Sequence, residues 1–233
     1  MTRRWSALRL STAVVLAAWA GLFWFLLLTG RSALYLSART AWVVPLGAAG
    51  LTLAAIGRAV TARAARPEPL ARRTAWGLGL ILLPVVLVLV LPPAALGSYA
   101  ASRRSPVGAG VVPARDLGTG EITLVNVAAA TWSPDAMRHL VARAGSPVSF
   151  EGFVTRRDGM PADEFILTRF MVSCCVADAL SVQVRVVGTP PGRFDQDQWV
   201  RVEGNLYPVG REFLVDASEV EAIPRPDRPY LNV

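Results

Sequence analysis

The chain has 233 residues, room for one or two domains, and only 18% are charged where a soluble domain carries about 25%. All 24 basic residues are arginine, which excludes Schiff-base and phosphate-loop lysines; one histidine excludes a His-rich metal site, and two cysteines exclude a four-ligand zinc ribbon. The charge is divided unevenly: Met1–Pro93 holds ten arginines and one acid (Glu68), a net +9, whereas Ala94–Val233 holds fourteen arginines and sixteen acids, a net −2. The half that could reach a duplex is slightly acidic, which argues against nucleic acid as a partner.

Three apolar runs fill the basic half: about Leu10 to Leu28, Trp42 to Ile56 and Ala75 to Leu96. A bilayer core needs about 20 apolar residues in a helix, so the expected spans are about 8–28, 40–57 and 75–96, within a membrane region 1–96. The second is the weakest, with 18 residues between Arg39 and Arg58 and a proline at position 45. Its flanking arginines can snorkel. The first run is too long and too bulky for a signal peptide. Buried helices of a soluble protein would instead show a polar stripe.

Arginine counting orients the spans. Arg3, Arg4 and Arg9 precede the first run, and Arg58, Arg63, Arg66, Arg72 and Arg73 lie between the second and third; only Arg31 and Arg39 lie between the first and second. Three spans put both basic segments on the cytoplasmic side. The expectation is a multi-pass protein of the bacterial cell membrane, its N-terminus cytoplasmic and its C-terminal domain extracytoplasmic.

Residues 97–120, rich in Pro, Gly, Ala and Ser, read as a juxtamembrane linker. Glu121 to Val127 alternates weakly, as a short strand would. Ser133-Pro134-Asp135 opens a helix that Gly145 should close. From Pro147 the period becomes two, with strands predicted at Val148–Val154, Phe165–Val172, Val182–Val186, Trp199–Leu206 and Phe213–Val220. Phe165–Val172 is apolar enough to be buried on both faces. Five turn-separated strands after one helix fit an OB-like five-stranded barrel over 121–233, with a sandwich as the second choice. The proline-rich tail is extended, and Tyr230-Leu231 can pack back onto the barrel.

Chemistry concentrates at Thr168–Ala179, where the second strand leaves the barrel. Four readings of Cys174 and Cys175 stay open. They could be packed thiols, a strained and reducible adjacent disulfide, or a nucleophile or lipidation site. They could also hold a soft metal ion such as zinc or copper, with Asp178 and His139 as further ligands. Adjacent cysteines reach one ion only at a turn, which Val176-Ala177-Asp178 could supply. The nucleophile reading lacks a local base, since His139 is 35 residues away. Arg169, in an apolar strand, reads as an ion-paired structural residue before an anion ligand, with Asp163, Glu164 and Asp178 as partners.

Phe150-Glu151-Gly152-Phe153-Val154, Thr168-Arg169-Phe170, Ser173-Cys174-Cys175-Val176-Ala177-Asp178-Ala179, Trp199-Val200-Arg201-Val202-Glu203-Gly204 and Pro229-Tyr230-Leu231 together resemble the YcgQ-like family of bacterial permease subunits, from about Asn126 to the end. The resemblance implies an integral membrane accessory subunit working beside a larger polytopic permease, in contact with membrane lipid. Its signature positions are Arg169, Phe170, Cys174, Cys175, Ala177 and Asp178; it brings no reaction and no ligand. The expected function is therefore a non-enzymatic accessory subunit with a recognition or gating domain outside the membrane. The alternative is an extracytoplasmic metal-binding or thiol-redox protein using the adjacent cysteines. A membrane-tethered enzyme has only those cysteines in its favour.

Overall fold

Long apolar runs set three long helices in the first part of the chain: α1 (Ala7–Leu28), α2 (Val43–Val60) and α3 (Arg72–Val90). The computed structural model describes residues 4–64, 68–91, 95–103, 120–131, 133–210 and 212–232, in two units, Met1–Ala94 and Ala95–Val233. Each long helix is long and apolar enough to cross a membrane. Ser6 caps α1 by accepting from the Arg9 N–H. α2 starts after Trp42 and carries Pro45 in its first turn, where a missing N–H costs no helical bond. α3 begins earlier than expected, at Arg72, and ends at Val90 rather than near 96. Leu91 is extended because it precedes a proline, which disfavours the helical region.

Hydrogen bonds tie the start of α1 to the segment after α2. Strand β1 (Arg4–Trp5) pairs with β2 (Arg63–Ala64). The Ser6 N–H donates to the Ala62 carbonyl at 2.8 Å, Arg9 donates to the Thr61 carbonyl at 2.9 Å and to Glu68 at 3.3 Å, and Arg58 donates to Thr12 at 3.1 Å. The two arginine-rich segments therefore share one end of the helical unit, the arrangement that arginine counting required of three spans.

In the second unit come α4 (Ser98–Arg103), α5 (Leu124–Ala130), α6 (Pro134–Val141) and strands β3 (Pro147–Thr155), β4 (Phe165–Val172), β5 (Leu180–Val187), β6 (Trp199–Val209), β7 (Glu212–Ala222) and β8 (Leu231–Asn232). Part of the expected linker is thus helical; its stretch 104–119 lies outside the described residues. The strand expected at Glu121–Val127 is instead the helix α5. Thr123 accepts from the Asn126 N–H while Asn126 returns a bond to the Thr123 N–H, a reciprocal cap that starts a helix, and Ala128–Ala130 propagate it. α6 starts as expected, capped by Ser133 with Pro134 first.

The barrel closes in the order β3-β6-β7-β5-β4, with β4 returning to β3 and β5 running parallel to β7. This is a closed five-stranded barrel of the OB-like kind. The alternation β3 shows comes from its register: Val148, Phe150 and Val154 enter the interior with Phe165, Leu167, Val184, Val200 and Val215, while α5 and α6 plug that interior with Leu124, Val127 and Leu140. Phe153, Phe170, Val172, Trp199 and Tyr230 form a second cluster. Hence β4 is buried on both faces. Phe153 stacks on Phe170 and tilts against Trp199, each at 5.9 Å. Gly152 is required where β3 crosses β4, because a Cβ there would stand 2.7 Å from the Thr168 carbonyl. The tail is extended; β8 pairs with β4 beyond the stretch that β3 covers, and Tyr230 is buried.

Candidate functional site

The site grows out of the end of β4. After Val172 the chain leaves the sheet, and a single 3-10 turn, Val176–Asp178, reverses it before β5. Cys175 is extended (φ −153°, ψ 171°) and leads into that turn, its backbone carbonyl accepting from the Asp178 N–H at 3.1 Å. Asp178 braces the turn in return. Its Oδ1 accepts from the Ser173 N–H at 3.1 Å, and its Oδ2 from the N–H groups of Cys174 at 2.8 Å and Cys175 at 3.4 Å. In a strand the two cysteines would face opposite sides; here their sulfurs are 3.6 Å apart. The ligand atoms of Cys174, Cys175 and Asp178 all lie within 4.8 Å of one another. Neither cysteine is in a disulfide, and Cys174 is exposed.

The electrostatics follow from that geometry. Hydrogen bonding to the Asp178 carboxylate, then to Cys175, pushes the Cys174 thiol up to about 11, since losing the proton would set a thiolate beside a carboxylate. Burial alone would raise the Asp178 carboxyl. The Cys174 thiol and the three backbone N–H groups outweigh it and hold the carboxyl below the usual aspartate range. At neutral pH the cluster is thus one carboxylate with a protonated thiol donating to it.

This donor set fits a soft cation. Two sulfurs 3.6 Å apart, each about 2.3 Å from a shared ion, subtend an angle of about 103°, near the tetrahedral value. A linear two-thiolate ion at the same bond length would need sulfurs about 4.6 Å apart. An incoming cation would take the place of the thiol proton between Cys174 and Asp178, and three donors leave a fourth tetrahedral position for another ligand.

The other sequence-derived positions lie apart from this cluster. Phe170 is fully buried in the aromatic cluster. His139 is exposed on α6 and is not one of the grouped ligands among the described residues. Arg169 has a structural setting with partners other than those expected. It donates to the carbonyls of Pro229 at 3.2 Å, Arg228 at 3.1 Å and Glu151 at 3.4 Å, stands 3.8 Å from the Glu151 carboxylate, and lies over the Trp199 ring at 5.6 Å. Burial lowers its pKa, partly countered by Glu151. Asp163 and Glu164 precede the far end of β4, about 16 Å away along a strand that rises roughly 3.3 Å per residue. Glu164 pairs with Arg185, and Asp178 is committed to its own turn. The role of Glu151 was missed. Its signal was a polar residue in an alternating strand, which could equally face water.

Arg169 therefore clamps the tail: it binds the residues just ahead of Tyr230, whose hydroxyl accepts from the Leu96 N–H at 3.2 Å. That gives the separated pieces of the sequence signature a common physical basis at the end of β4. A family model for the DUF1980 C-terminal domain matches residues 112–232, over half the chain and across all of those pieces. The chain belongs to the DUF1980 C-terminal domain family. No curated protein matches it. In this member the family's domain comprises α5, α6 and the whole barrel with its clamped tail.

Proposed function

We propose that the protein is a non-enzymatic accessory subunit of a permease complex. On this reading its N-terminus is cytoplasmic, its barrel extracytoplasmic, and its partners are membrane lipid and a larger polytopic permease. One observation carries the reading: the ionisable residues of the long helices, Arg9, Arg58, Arg72 and Arg73, all sit in a first or last turn. Solute pathways need polar groups at depth, so these helices fit anchoring and docking better than conduction. Their shared arginine-rich end supports a cytoplasmic placement of that end by the positive-inside rule. The family match and the membrane-like helices are compatible with this role. Affinity purification of the whole chain in mild detergent tests it: a polytopic permease should co-purify in fixed proportion, and a chain that purifies alone would contradict it.

The cluster of Cys174, Cys175 and Asp178 favours a second reading, in which the barrel captures a soft metal ion, zinc before copper(I) on the sulfur spacing. Metal titration of the reduced protein separates the two. Binding lost on Cys174→Ser or Cys175→Ser supports capture; a protein that takes up neither ion leaves the accessory role without a metal.

A further inference from the structure

A second site lies in the barrel unit away from the cysteines and is independent of any metal. A cleft of about 530 Å³ is walled by α4 on one side and by Thr155, Arg156, Arg157, Gln183 and Gln196 on the other. None of the residues that line it is acidic. The neighbouring Asp197 is spent on α4, accepting from the Ser98 N–H at 2.5 Å and the Ser98 hydroxyl at 2.9 Å.

The two arginines are held without a counter-charge. Arg156 donates its guanidinium to the carbonyls of Ala162 at 3.4 Å and Glu164 at 2.9 Å, and its backbone N–H to Gln196 at 3.2 Å. Arg157 donates to the Gln183 side-chain oxygen at 2.6 Å. All these acceptors are neutral, and neither arginine joins an ion pair among the described residues. Each guanidinium has five N–H donors, so most remain available. Thr155 is only 6% exposed, and its buried hydroxyl has no hydrogen-bond partner. A buried hydroxyl left unmatched is costly, and this one belongs to a residue of the cleft wall.

We propose that this cleft binds a phosphate group. Two adjacent uncompensated guanidinium groups match a phosphate's charge of roughly −1.5 to −2 better than a single carboxylate, and their planar donors suit its oxygens. The group can arrive on a small phosphorylated solute or as an anionic lipid headgroup. Both share the chemistry the cleft offers.

The test is calorimetric titration of inorganic phosphate into the full chain in neutral maltoside detergent. Wild type should bind saturably. Arg157→Gln, which disturbs only the bond to Gln183, should weaken binding roughly tenfold or more. Arg138→Gln on α6, where Arg138 pairs with Asp135, should change nothing. Phosphatidylglycerol added to the micelles separates the sources: competition with phosphate assigns the cleft to headgroups, and unchanged phosphate binding assigns it to a solute. Failure of both phosphate and phosphatidylglycerol to bind in an Arg157-dependent way overturns the proposal. Equal weakening by Arg138→Gln, the mark of general charge attraction, overturns it too.

Discussion

The helical unit and the barrel are both rich in large apolar side chains, but they place them in opposite ways. In the barrel Phe150, Phe165, Leu167, Val200 and Val215 are at most 2% exposed. In the helices Leu28, Val60, Leu80 and Val90 are 65–80% exposed. The barrel supplies its own apolar solvent by closing on itself; the helices, long and apolar enough to cross a membrane, leave their apolar faces for a bilayer to cover. Residue composition is similar at such positions, so the difference lies in period and closure.

The comparison breaks if the two regions answer truncation alike. Phe150→Ala should destabilise the barrel by about 3–5 kcal/mol in denaturant titration, because the closed interior cannot collapse into the void. Next in size, Leu80→Arg on α3 should raise the apparent cost of membrane insertion by about 2.5–3.5 kcal/mol, read as loss of membrane-integrated protein. Asp178→Asn should cost about 1 kcal/mol by weakening the brace under the cysteines. Leu80→Ala should fall within about 0.5 kcal/mol, since lipid replaces the lost contacts. A cost near that of Phe150→Ala would mean that α3 packs against protein there.

The site adds a pH dependence with a definite sign. The Asp178 carboxyl is depressed in the fold, so its stabilisation is present above the unfolded aspartate value and is lost as pH falls through the folded one. Cys174 is raised, so its contribution is present below the ordinary thiol range and fades as pH climbs toward about 11. Alkylation of Cys174 in the metal-free protein should therefore accelerate well above the pH at which an ordinary cysteine reacts, near 8.5. A rate profile centred on the ordinary value would show that the Asp178 contact is absent.

How far the sequence carried this account depends on how local each signal is. The strands at Phe165–Val172 and Trp199–Leu206 were legible because side-chain alternation and turn residues act within a few positions. The Ser133-Pro134 helix start was legible for the same reason. The segment at Glu121–Val127 misled because its apolar spacing suits a strand, while the decisive feature is a cap made by Thr123 and Asn126. Cys174, Cys175 and Asp178 were found because one turn brings them together. The Glu151 partner of Arg169 and the cleft under α4 were not, because each depends on strand register or on a helix packing from a distant part of the chain. No spacing within one segment encodes those neighbours.

The most direct test of the central claim, a barrel held outside the membrane by three spans, uses the two cysteines the chain already has, both in one turn and Cys174 exposed. Intact cells would be treated with a membrane-impermeant reductant and then a membrane-impermeant maleimide at mildly alkaline pH, beside lysed cells treated identically. The account predicts equal labelling in intact and lysed cells. Labelling that appears only after lysis would place the barrel in the cytoplasm and contradict the three-span arrangement.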